Sequence, residues 1–233
     1  MTDIPANIAT VRHRIQQATL KSLRNVTDIC LLAVSKTHPA DDIRRAYQAG
    51  LRHFGENYPQ ELEFKAAELR YPDLVWHFIG PLQANKTRLI AESCHWLHSL
   101  DRLKVAQRLN EQRPPALPPL NVCVQINIDN EASKSGLPLA AVADFVAQLV
   151  PLPQLAVRGI MVIPQADQPP AVTQASFARA AECLRELQEH FPLLNLDTLS
   201  MGMSGDLELA IAAGSTIVRV GSDIFGARAP KVS

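Results

Sequence analysis

The sequence predicts an α/β protein: a single (β/α)8 TIM barrel with an extra N-terminal helix, one domain over residues 1–233. Three observations predict it. Eight short apolar runs recur along the chain, and a helical pattern follows each of the first seven. The run at 29–36 is continuously apolar until Ser35 and Lys36, as a strand buried on both faces of a parallel sheet must be. No G-x-G-x-x-G follows that first strand, which argues against an open, doubly wound dinucleotide-binding sheet. Eight parallel strands joined by right-handed crossovers close into a barrel.

The elements follow in order. Residues 3–24 place Ile8, Val11, Ile15 and Leu20 near helical spacing, a leading helix across the bottom or side of the domain. After strand 29–36, a helix opens at Asp41 and Asp42, whose charges suit a helix N-terminus, and stops at Gly50. Strand 52–55 leads to a helix at 59–70, and strand 75–79 ends in Gly80 and Pro81 before a helix at 83–92. Strand 96–100 and helix 101–112 precede the stiff proline-rich stretch 113–119, a connection within the domain. Strand 121–128 alternates strictly between apolar and polar residues, then a polar loop at 129–136 leads to helix 138–150. Strand 157–163 is followed by helix 170–190, and strand 198–201 by a Gly/Ser loop and a helix ending at 213. Strand 216–220 closes the set, with a short turn after it.

Composition narrows the function. Lys plus Arg equals Asp plus Glu at 23 each, so no net field draws nucleic acid or an acidic membrane. The polar N-terminus lacks the apolar core of a signal peptide, and no apolar stretch approaches membrane-spanning length. A cytoplasmic location is the expectation. Cys30, Cys94, Cys123 and Cys183 are scattered without a C-x-x-C pair, against a zinc site or a disulfide framework. Cys30, Cys123 and Cys183 lie in apolar runs and read as buried thiols of a reducing compartment.

In such a barrel the C-terminal ends of all strands share one rim, where barrels place their chemistry. That rim would gather Lys36, Glu56, Asn57, His77, Asn127, Met161, Ser200, Met201, Ser204, Arg219 and Gly221. A partly desolvated Lys36 would offer a nucleophilic amine; the plainer reading is a strand-end lysine reaching into solvent. The Gly/Ser stretches at 202–205 and 221–222 offer backbone N–H groups for a phosphate, or serve only as tight turns. Arg219 lies within an apolar strand, where it could face a carboxylate, a ligand ring or a phosphate, or form a structural ion pair. Together, a nucleophilic amine, a phosphate cradle and a cation suit a phosphorylated aldehyde, and pyridoxal 5'-phosphate fits all three. A metal-dependent hydrolase would need several rim His and Asp ligands, and His77 has no clear companions.

Five separated motifs carry a resemblance. These are Ala33-Val34-Ser35-Lys36-Thr37, the segment 54–61 (FGENYPQE), the segment 76–86 (WHFIGPLQANK), the segment 200–206 (SMGMSGD) and the segment 218–226 (VRVGSDIFG). Together they resemble the pyridoxal phosphate homeostasis proteins, the YggS group of bacteria with its eukaryotic PROSC relatives, over nearly the whole chain. The resemblance implies a barrel like the N-terminal domain of alanine racemase, with Lys36 forming a Schiff base (the internal aldimine) to the cofactor. It implies that Ser200, Met201, Ser204 and Gly221 surround the phosphate, that Arg219 lies near the pyridine nitrogen, and that Asn57 and His77 line the ring's environment. It also implies a vitamin B6 carrier or buffer, with apo pyridoxal-phosphate enzymes as partners and no catalytic residues.

Two features agree with a holder. Only seven residues follow Gly226, so no second domain is expected to bring another base to the cofactor, and a monomer is the expectation. An arginine beside the pyridine nitrogen disfavours its protonation and weakens the ring as an electron sink. The alternative is a pyridoxal-phosphate-dependent amino-acid racemase or related enzyme that uses Lys36 as its base.

Overall fold

A computed structural model describes residues 2–131 and 134–226. Eight parallel strands close in sequence order, each hydrogen-bonded to the next and β8 back to β1. They are β1 (Cys30–Val34), β2 (His53–Glu56), β3 (Val75–Phe78), β4 (Trp96–Leu100), β5 (Leu120–Ile126), β6 (Leu155–Val162), β7 (Thr198–Ser200) and β8 (Ile217–Val220). The seam pairs Leu32 with Arg219 and Ala33 with Val220, which sets the end of β1 beside the end of β8.

The helices are α1 (Ile4–Lys21), α2 (Ala40–Gln48), α3 (Pro59–Glu68), α4 (Thr87–Ser93), α5 (Leu103–Gln112), α6 (Val142–Leu149), α7 (Pro170–His190), α8 (Leu207–Ala212) and α9 (Ser222–Phe225). The segments expected to begin α4 and α6 instead form 3-10 turns, Ala84–Lys86 and Leu139–Ala141. The expected turn after β8 is itself one helical turn, α9.

α1 shows how sequence becomes packing. Asp3 caps it by accepting the Ala6 N–H at 3.1 Å, and a proline occupies its first turn. Ile4, Ile8, Val11, Ile15 and Ala18 recur at helical spacing and are buried. That face packs against α2, α8 and α9, extending a core that includes Ile43, Phe54, Leu207, Ile211 and Val220. A second cluster, around Phe78, Leu97, Val122, Ile160 and Phe177, fills the other half. Cys94, Cys123 and Cys183 are buried, whereas Cys30 is half-buried at the start of β1. Among the described residues no helix is long and apolar enough to cross a membrane.

Candidate functional site

β1 stops at Val34, two residues before the expected lysine. Ser35 leaves the strand but keeps one sheet-like bond, its N–H donating to Gly55 O at 3.0 Å. Thr37 then takes a left-handed conformation, φ 67°, which a β-branched residue adopts only under constraint. Lys36 is thereby set on a bend beyond the strand rather than within it.

A buried charge cluster supplies the constraint. Lys65, on α3, is only 3% exposed. Its ammonium donates to Ser35 O at 2.9 Å, Glu56 Oε1 at 2.8 Å and Glu61 Oε1 at 2.6 Å. Ser35 Oγ donates to Glu56 Oε1 at 2.6 Å, and Thr37 N–H donates to Glu61 Oε1 at 2.6 Å. The residues on both sides of Lys36 are therefore tied to one ammonium and its two carboxylates. Burial pushes the Glu56 carboxyl up to about 7, against the opposing pull of Lys65 and Ser35. Its second oxygen, Oε2, is buried without a hydrogen-bond partner.

Lys36 faces a cavity of about 320 Å³, which Asn57, Met203, Ser204, Arg219 and Gly221 also line. Asn57 Oδ1 is buried without a partner. The loop holding Asn57 is pressed against Gly80: a Cβ there would lie 2.2 Å from Asn57 O, so only glycine fits. On the opposite wall, Gly202 (φ +93°) turns the chain out of β7, and a Cβ would lie 2.5 Å from Ala210 Cβ. The following loop is closed by Met203 N–H donating to Asp206 Oδ1 at 2.6 Å. Ser204, Gly205, Gly221 and Ser222 bring backbone N–H groups and two hydroxyls to this side of the cavity.

Arg219 is 4% exposed. Its guanidinium donates to Ser200 Oγ at 2.7 Å and Val162 O at 2.9 Å. Among the described residues it forms no ion pair, so neutral dipoles carry most of its solvation. Burial pulls it down to about 10, with Asp206 opposing the shift.

Five of the eight residues expected at the cofactor thus meet around one cavity: Lys36, Asn57, Ser204, Arg219 and Gly221. The other three stand elsewhere. Ser200 lies behind Arg219, bonded to it. Met201 is buried in the core, where its carbonyl accepts Ser215 Oγ at 2.7 Å. His77 is 0% exposed inside the barrel and lines a different cavity, at the N-terminal ends of the strands. It was expected at the rim, but it sits one residue short of the end of β3, where its ring finds partners on β2 and β4.

Those partners form a column that sequence reading missed. His53 Nδ1 is 2.9 Å from His77 Nε2, His77 Nδ1 is 2.9 Å from His98 Nε2, and His98 Nδ1 is 2.8 Å from Ser200 Oγ. Through Ser200 the column reaches Arg219. Burial, followed by the nearby Arg219 charge, pulls His98 down to about 3; burial, followed by its histidine neighbours, drives His77 well below its ordinary range. Both rings are therefore neutral in the folded protein, while the unfolded chain takes up protons below about pH 6.5. Stability from these rings is complete above that pH and falls as pH drops toward 3. We expect His98→Gln to flatten the acid limb of the urea-unfolding profile between pH 6.5 and 4.5 by roughly 1.4 kcal/mol per pH unit. An unchanged slope would show that His98 is not held neutral.

Among the described residues no group of three or more His, Cys, Asp and Glu side chains is arranged to hold a metal ion.

Comparison with known proteins follows the same lines. Residues 7–229 match the family described as alanine racemase, N-terminal domain. A pyridoxal phosphate homeostasis protein of Pseudomonas aeruginosa is 54% identical over 231 residues, 98% of this chain and 97% of that protein. Its Escherichia coli K12 counterpart is 52% identical over 232 residues, 98% of each chain. PipY of Synechococcus elongatus, solved with pyridoxal phosphate bound, superposes with a TM-score of 0.83 at 41% identity, covering 96% of this chain and 100% of PipY. Alanine racemase of Corynebacterium glutamicum, 15% identical with a TM-score of 0.69 over 93% of this chain and 61% of its own, shares the fold.

Proposed function

Because this chain belongs to the pyridoxal phosphate homeostasis protein family, built on the alanine racemase N-terminal fold, we propose that it holds pyridoxal 5'-phosphate covalently on Lys36 and serves as an intracellular carrier or buffer of that cofactor. The observation that carries this reading is the meeting of Lys36, Asn57 and Arg219 around one cavity beside the two Gly/Ser loops. The residues fit the group. The unpartnered Asn57 Oδ1 offers an acceptor, Arg219 offers donors that no ion pair takes up among the described residues, and the loops offer N–H groups for a phosphate. When bound, the cofactor supplies an aldehyde that a lysine amine captures reversibly.

This chain's residues do the rest. Lys65 and its two carboxylates hold the bend that presents the Lys36 amine. Ser204, Gly205, Gly221 and Ser222 would hold the phosphate through their N–H groups and hydroxyls. Arg219, which can only donate, would meet the pyridine nitrogen as an acceptor and disfavour its protonation, which suits holding better than carbanion chemistry. Ser200 acts from behind by holding Arg219, and His77 acts more remotely through His98 and Ser200. Met201 serves as packing beneath the loop. The carrier works as a cytoplasmic monomer that gives up its cofactor to apo-enzymes.

The test is direct. Protein loaded with pyridoxal phosphate, reduced with borohydride and mapped by mass should carry its adduct on Lys36; an adduct confined to other lysines overturns the assignment. Single L-amino acids added to the loaded protein should yield no chiral product at enzyme rates of about 1 s⁻¹ or more, and such turnover would replace the carrier with a racemase.

A further inference from the structure

A second, larger cavity of about 850 Å³ opens at the opposite end of the barrel, between α1 and the N-terminal ends of the strands. Nothing in the cofactor site uses it. Arg12, Arg52, His53 and Arg158 line it, and the histidine column ends there.

The direction of that column follows from its inner end. Arg219 only donates, so Ser200 Oγ accepts from it. The remaining partner of Ser200 is His98 Nδ1, so the hydroxyl donates there. A neutral His98 then carries its proton on Nε2 and donates to His77 Nδ1. By the same step His77 donates from Nε2 to His53 Nδ1. His53 is left with its own proton on Nε2, which among the described residues meets no acceptor. The reverse order would leave the buried Ser200 hydroxyl hydrogen without an acceptor, a cost the forward order avoids.

The cavity's other polar groups are also biased toward donation. Arg52 spends Nε on Asp73 and Nη1 on the carbonyls of Tyr47 and Leu51, and its Nη2 has no bond among the described residues. Arg12 spends two N–H bonds on Ala49 O and Gly50 O, which leaves it three. Of the lining carboxylates, Asp197 is paired with Arg158, and Asp28 spends one oxygen on the Asn25 N–H and keeps the other. Apart from the free oxygen of Asp28, the unspent groups of these side chains are N–H donors on cationic or polarised groups, and those of His53, Arg52 and Arg12 suit the planar pair of oxygens of a carboxylate.

We propose that this N-terminal cavity is a second ligand site, for a small carboxylate anion held by His53 Nε2–H and the guanidinium groups of Arg52 and Arg12, and that the histidine column couples its occupancy to Arg219. An anion at His53 polarises every link in the same direction, because each group donates outward and accepts from the Arg219 side. The cofactor pocket thus senses an acid bound across the barrel, without a conformational change between the two sites.

The experiment uses the full-length, cofactor-free protein, so its outcome is independent of cofactor chemistry at Lys36. Nitrogen-15 spectra of labelled histidines should show His53, His77 and His98 all as Nε2–H tautomers; an Nδ1–H tautomer at any of the three overturns the column's direction. Titration with succinate, followed by calorimetry, should saturate. Arg52→Gln and His53→Gln should each weaken binding at least tenfold. In the wild-type protein succinate should move the His98 imidazole signals, although His98 does not line the cavity. Absence of saturable binding, binding indifferent to both substitutions, or binding with His98 unmoved would each overturn the proposal. The wild-type spectra keep the test decisive if a variant fails to fold.

Discussion

Lys36→Ala, mixed with pyridoxal phosphate, is expected to stay colourless, to trap no adduct at the site after borohydride, and to bind the cofactor about 100-fold more weakly or worse, a loss of about 2.7 kcal/mol. The reason is chemical. On the proposed reading the Gly/Ser loops and Arg219 still hold a phosphate and a ring, but among the described residues no other lysine lines the cavity. Lys65 is close in the fold, yet its ammonium is committed to Ser35 O, Glu56 and Glu61. Lys36→Arg should behave like the alanine variant, because a guanidinium keeps the charge but cannot form the imine. Absorbance spectra and mass mapping after reduction read both variants. Retained colour with an unchanged affinity would remove Lys36 from the site.

Lys65→Met is expected to destabilise the cofactor-free protein by about 3–5 kcal/mol at pH 8, read by urea unfolding. The substitution keeps the side chain's bulk but leaves Glu56 charged and buried without its cation, and it frees the backbone on both sides of Lys36. The effect should shrink on acidification, and the sign follows from Glu56. Burial raises its folded pKa to about 7, above the ordinary value of 4.5. Between those values the folded state binds more protons than the unfolded state, so this group's contribution falls as pH rises from 4.5 to 7. At pH 5 Glu56 can take up a proton and relieve the unpaired charge. Adding Glu56→Gln should recover part of the loss at pH 8 and little at pH 5. A penalty that does not vary with pH would mean that Lys65 acts through packing alone.

The barrel was legible because strand burial is written into local sequence. The run before Lys36 could hardly be anything but an inner strand, and the alternation at 121–128 marked β5 to within two residues. The ends were less legible. Lys36 lies beyond β1 because of the clamp formed by Glu56, Glu61 and Lys65, the first from β2 and the other two from α3. Only the Glu61–Lys65 pair, four residues apart on α3, left a local trace. The histidine column left less. His53, His77 and His98 sit at the first position of β2 and the third positions of β3 and β4, and what unites them is the stagger of neighbouring strands. A single sequence carries no record of that stagger, so His77 looked like a rim residue. Arg219 was visible as a costly arginine in an apolar strand, and its partners proved to be dipoles rather than a carboxylate.

α1 touches both Gly/Ser loops that line one side of the cavity. Arg14 donates to Glu208 at 2.7 Å, to Asp223 at 2.6 Å and to Ser204 O at 2.8 Å; Asn7 reaches Ile224 O at 3.0 Å, and Arg24, just past the helix, reaches Ser215 O at 2.7 Å. These partners lie roughly 190 to 217 positions further along the chain. On the ribosome, α8, β8 and α9 emerge long after α1, and α2 soon after it. The helix can therefore cover only part of its apolar face, against α2, until α8, β8 and α9 appear. The seam between β8 and β1 and the Gly/Ser side of the cavity then form together, so the two Gly/Ser loops reach one side of the cavity only once β8 has paired with β1.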